Sequence, residues 1–105
     1  MNNKIPFSII FENQNIDFFF EGHSETKDRN HLTRITTEIL NILDSNVKRT
    51  KISDGDLIQA LALVTAIRIY CSGFDPNKLR NFSDKLIKDT ISNIQNGKFT
   101  KIGSA

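Results

Sequence analysis

The sequence predicts an α+β fold: an N-terminal β-hairpin packed on a three-helix bundle, in the order ββααα. Three observations carry this: apolar residues alternate up to residue 21, later ones recur near the helical period, and capping or breaking residues separate the later stretches. With 105 residues, 38% hydrophobic and 25% charged, the chain has the composition of one globular domain rather than a disordered segment.

The hairpin spans residues 4–21. Ile5, Phe7, Ile9 and Phe11 share one face of a first strand over 4–11, and Ile16, Phe18 and Phe20 share one face of a second over 16–21. Between them Glu12, Asn13, Gln14 and Asn15 form a polar turn that lacks the Asn-Gly pair favoured in tight hairpins. The other face carries Ser8, Glu12, Asp17 and Glu21, but also Ile10 and Phe19. Period-2 geometry turns Phe19 outward beside Ile10 if Phe18 and Phe20 face the helices.

A first helix is expected over 28–45, with Leu32, Ile35, Ile39, Leu40, Ile42 and Leu43 as its apolar stripe. A second runs over 54–72, capped by Ser53 and stopped by Gly73. From Leu57 to Cys71 only Gln59, Thr65 and Arg68 are not apolar. A helix apolar nearly all round must be covered on most sides, which places this one at the centre of the domain. The third, over 76–96, opens with Asp75-Pro76 and ends at Asn96-Gly97. Residues 97–105 read as a frayed tail in which Phe99 and Ile102 can dock.

Composition narrows the function. A single cysteine excludes an intramolecular disulfide framework. No apolar run reaches the length of a membrane span, and the first ten residues lack the apolar centre of a signal peptide; the expectation is a cytoplasmic protein without a membrane partner. The net charge of +2 is small, but residues 1–45 carry −3 and residues 46–105 carry +5.

Chemistry finds little support. Glu21, His23, Glu25 and His31 are metal-competent types gathered at the strand-to-helix junction, yet their spacing matches no zinc signature. A polar connecting loop gathers such residues without a metal. Asp54-Gly55-Asp56 lacks the further oxygen ligands of a calcium loop, and helix capping accounts for both aspartates. Cys71 has no histidine downstream of it and reads as a buried structural thiol. There is no phosphate-cradling glycine loop or nucleophile elbow. The expectation is no catalytic residue, no cofactor, no metal and no small-molecule substrate.

Two binding readings remain. Lys48, Arg49 and Lys51 occupy the expected 46–52 connector, while Lys78, Arg80, Lys85 and Lys88 line the third helix. Such cations neutralise phosphates, which defines a nucleic-acid-binding regulator as the alternative. Against it, Asp84 and Asp89 interrupt the third helix, and a seven-residue connector is longer than a helix-turn-helix turn. The favoured reading is a non-catalytic protein-interaction module that binds a protein partner or a second copy of itself through the hairpin. Ile10 and Phe19 would form the contact, and the basic connector would steer an acidic partner.

Overall fold

The computed structural model describes residues 4–22 and 26–103. The fold is α+β: an N-terminal hairpin followed by three helices, with a three-stranded antiparallel sheet of order β1-β2-β3. The elements are β1 (Lys4–Phe11), β2 (Gln14–Glu21), α1 (Arg29–Thr50), α2 (Asp54–Cys71), α3 (Pro76–Gln95) and β3 (Lys98–Lys101). Residues 1–33 with 85–105 form one compact unit, and residues 34–84 form another.

The first unit holds the sheet. Its hairpin closes more tightly than the polar run implies: Phe11 pairs with Gln14, so the loop is only Glu12-Asn13. Both residues are left-handed, φ 51° and 61°, the signature of a type I′ turn whose twist matches that of the strands. Gln14 and Asn15, expected in the turn, therefore belong to β2.

Alternation then sorts the faces. Ile5, Ile16 and Phe18 are the buried hydrophobic residues among those described. Phe7 meets Phe18 and Phe20 edge-to-face, with ring centroids 6.0 and 6.3 Å apart. The residues expected to form a frayed tail instead supply β3, whose Phe99 pairs with Ile16 and Lys98 with Asp17. Ile102 continues this edge, donating its N–H to the Asn13 carbonyl at 2.8 Å. Gly97 makes the approach feasible, because a Cβ there would lie 2.6 Å from the Asp17 carbonyl oxygen. At the outer strand, Pro6 offers no N–H, and the Arg29 guanidinium donates to the Lys4 carbonyl at 2.6 Å.

Arg29 and its neighbours begin α1. Asp28 caps that helix by accepting the His31 N–H at 2.9 Å. His31 and Glu21 are described, whereas His23 and Glu25 of the expected metal-competent cluster lie outside the described residues.

The second unit contains the rest of α1, all of α2 and the start of α3. Here α1 runs five residues further than its polar end suggests, to Thr50. Asn46 satisfies its own side chain by donating to the Ile42 carbonyl at 2.9 Å and does not break the helix. The connector is therefore 51–53 rather than 46–52, and the connector-length argument against a helix-turn-helix no longer holds. Lys48 and Arg49 sit in the last turn of α1, where they complement the helix dipole. Lys51 follows at φ 54° and donates its N–H to Val47 at 2.9 Å, ending the helix without a glycine.

Helix α2 starts and stops where its sequence says. Ser53 is extended and its Oγ accepts the Asp56 N–H at 3.2 Å. Ser72 Oγ donates to the Ile69 carbonyl at 2.7 Å, and Gly73 follows at φ 84°. Its expected burial at the centre of the domain is not found: no residue of α2 is buried. Cys71, expected to be a buried thiol, is exposed for the same reason.

Candidate interaction surface

Most of α2 is exposed, including Ile58 at 65%, and its three half-buried residues cluster. Successive residues turn about 100° around a helix axis. Leu57, Leu61 and Ile69 are half-buried and fall within one sector. Leu63, Ile67 and Tyr70 fall on the opposite side and are exposed at 57%, 58% and 78%, while Val64, exposed at 58%, lies next to Leu57. Ala60, also exposed, lies on the side of Leu63 and Ile67. Ala60, Leu63, Ile67 and Tyr70 are spaced three, four and three residues apart, and Phe74, exposed just past the helix, continues the series. That spacing is the seam by which one helix packs along another with interlocking side chains. Sequence reading missed it because apolar residues at most other positions of α2 mask the four-three pattern.

The hairpin offers a smaller apolar surface. Phe19 and Ile10 are both solvent-exposed, at 55% and 73%, on the outward face. They are not neighbours. Phe19 pairs with Pro6 and Ile10 with Asn15, which separates them by about 13 Å along the strand. A polar pair stands between: Ser8 Oγ donates to the Asp17 carboxylate, and Asn15 Nδ2 donates to the same oxygen at 3.0 Å. These two hydrogen bonds, Ser8 first, hold the Asp17 carboxyl below its ordinary pKa. Phe19 also borders an open cleft of about 430 Å³ together with Lys4, Asn93 and Asn96.

The basic residues are divided between the two units. Lys48, Arg49, Lys51, Lys78 and Arg80 belong to the second, Lys85 and Lys88 to the first. Several serve local structure. Arg49 donates to Asn46 Oδ1 at 2.7 Å, Arg80 lies 3.8 Å from the Asp84 carboxylate, and Lys85 bonds Asp89 at 2.7 Å. The hydrogen bond to Asp89 raises the Lys85 pKa. Exposed pairs of this i,i+4 kind contribute little stability, but they place a carboxylate beside two of the four α3 cations.

Among the described residues no three His, Cys, Asp or Glu side chains stand together as a metal-ligand set, and no helix is long and apolar enough to cross a membrane. Comparison with known proteins finds no matching family model, no curated relative and no similar solved structure.

Proposed function

We propose that this chain is a non-catalytic protein-interaction module whose principal contact element is α2. The observation that supports it is the exposed seam of Ala60, Leu63, Ile67 and Tyr70. Contiguous apolar surface costs free energy in water, and in folded proteins such patches mark contact sites. The hairpin, expected to be the contact, is less suited to it: β3 already pairs with the first half of β2, and Ile10 and Phe19 are separate points rather than one patch. They serve as secondary contacts, while Lys48, Arg49 and Lys51 favour encounter with an acidic surface.

The test is amide exchange of α2 and binding of an apolar fluorescent dye, followed from high to low concentration. At dilution α2 should exchange freely and the dye should bind; association should suppress both, and Leu63→Lys should weaken dye binding. Slow exchange of α2 with no dye binding at every dilution would mean the face is covered within its own chain, and the reading would fail.

One observation favours a second reading. Lys48 and Arg49 end α1 and Lys51 opens the three-residue turn to α2, which gathers three cations at one helix–helix junction. A duplex-binding titration discriminates: a steep loss of affinity with salt supports nucleic acid, and absence of binding at low salt removes it.

A further inference from the structure

We infer that Asn96-Gly97, at the junction of α3 and β3, is a self-modification site latched by β3: its asparagine deamidates when that strand leaves β2, and the isoaspartate formed bars the strand's return. This stands apart from the interaction reading of α2. Of the eleven asparagines, only Asn96 is followed by glycine. Deamidation begins when the backbone nitrogen of the next residue attacks the asparagine side-chain carbon, Cγ. A Cβ on that next residue obstructs the approach, and glycine has none. Gly97 is required where it stands because a Cβ there would lie 2.6 Å from the Asp17 carbonyl oxygen. The packing that demands a glycine thus creates the reactive pair.

The folded arrangement withholds the nucleophile. Asn96 is exposed, so water reaches it. The Gly97 nitrogen is engaged: its N–H donates to the Ile94 carbonyl at 3.0 Å, and the Asn96 N–H donates to the Ser92 carbonyl at 3.0 Å. On the other side Lys98 pairs with Asp17. Gly97 is held by α3 before it and by β2 after it, and its nitrogen cannot turn toward Cγ. The hold through β3 is the weaker. That strand has four residues, all exposed, and lies at the sheet margin. Such segments open at low cost without global unfolding.

Once β3 is off, the Gly97 nitrogen gives its proton to hydroxide and bonds to Cγ of Asn96. The Cγ–Nδ2 bond breaks, and the nitrogen takes a proton from water and leaves as ammonia. Water then adds to one carbonyl of the cyclic imide and breaks that carbon's bond to the Gly97 nitrogen. Cleavage at Cγ yields aspartate; cleavage at the main-chain carbon yields isoaspartate, with Gly97 now attached through Cγ. Nothing is oxidised or reduced. Isoaspartate lengthens the backbone by one carbon just before Gly97, which moves Gly97 out of its close passage beside Asp17. Aspartate sets an anion at the C-terminal end of α3, where the helix dipole opposes it.

The full chain is aged in heavy-oxygen water at mildly alkaline pH, both folded and in concentrated urea. Peptide mapping follows label uptake at position 96, and an isoaspartate methyltransferase reports the rearranged product. The folded rate should lie about tenfold or more below the rate in urea. Uptake at Asn93, which precedes Ile94, should be far slower in both. Register sets Thr100 opposite Asn15, two residues from the Ile102–Asn13 hydrogen bond, so the Thr100 N–H belongs to the ladder. Thr100→Pro removes that donor and should raise the folded rate severalfold while circular dichroism shows the helices retained. In the parent chain, low urea should raise the position-96 rate and the amide exchange of Thr100 and Ile102 in parallel, a measurement that stands even if the variant unfolds.

Equal rates folded and in urea would mean there is no latch, and no reaction in urea would mean there is no reactive pair; either overturns the inference. Faster exchange of the β3 amides, in low urea or in Thr100→Pro, with an unchanged position-96 rate would overturn it as well. Isoaspartate-bearing chains whose Lys98–Lys101 amides stay protected would overturn the barred return.

Discussion

Gly97 passes so close to Asp17 that a single added carbon would stand 2.6 Å from the Asp17 carbonyl oxygen. The contact is with backbone, which cannot swing aside as a side-chain tip would. The same carbon would also lie 3.1 Å from the Ile94 carbonyl and 3.1 Å from Phe18 Cβ. Gly97 is thus the point at which α3 hands the chain to β3, and it fixes how near β3 can come to β2.

Gly97→Ala should therefore destabilise the protein by about 1–3 kcal/mol, the usual cost of forcing atoms into a packed site. Urea unfolding followed by circular dichroism measures the loss. Amide exchange should show it concentrated in β3 and in the Ile102–Asn13 bond that continues the strand. An unchanged midpoint with β3 still protected would show that the passage is looser than described.

The hairpin turn is open to improvement. Glu12 and Asn13 both hold positive φ, a conformation that asparagine tolerates better than glutamate and glycine better still. Glu12→Asn and Asn13→Gly should each stabilise the sheet by about 0.5–1 kcal/mol, seen as a higher denaturation midpoint. Neither should alter the pairing of Phe11 with Gln14, which cross-strand NMR contacts would report.

Asp17 links stability to acid. Its folded pKa is lowered below the ordinary 3.8 by the Ser8 and Asn15 hydrogen bonds, with Lys98 adding attraction. A depressed carboxyl contributes stability above its unfolded pKa, and this contribution is lost as pH falls through the folded value. Ser8→Ala should move the Asp17 titration, followed by carboxyl NMR shifts, back toward 3.8. The variant should also lose less stability than the parent on acidification below that value.

Lys51 ends α1 in the left-handed region where glycine is the usual residue. Lys51→Gly should raise stability by about 0.5–1 kcal/mol, measured as a shift in the thermal or urea midpoint. The same substitution removes one cation from the Lys48–Arg49–Lys51 cluster, so a stable protein with weaker low-salt duplex binding would support the nucleic-acid reading. Unaltered duplex affinity would assign Lys51 a structural role alone.

How far the sequence could be read depended on whether each signal was local. Alternation through Ile5–Phe11 and Ile16–Phe20 identified the strands and put Phe19 on the outer face, because side-chain direction follows from backbone geometry within a few residues. The limits of α2 were equally legible in Ser53 and Gly73, which act on adjacent backbone groups. By contrast β3 has only Lys98, Phe99, Thr100 and Lys101, too few for any period; β2 makes it a strand by pairing with it. The end of α1 was misjudged because Ser45 and Asn46 resemble a stop, while the later helical bonds, such as Thr50 Oγ1 to the Asn46 carbonyl, depend on the whole turn. The exposure of α2 was the least legible. Its sequence specifies that it needs cover but not which chain supplies it.

The arrangement at β1 bears on what the protein avoids. A bare strand margin invites newcomers to zip on one after another, and such recruitment can run on without limit. Here Pro6 leaves a missing rung, and Arg29 occupies the Lys4 carbonyl that an incoming backbone would seek. Addition of a further strand at β1 is thereby disfavoured, while β3 forms the other margin of the sheet.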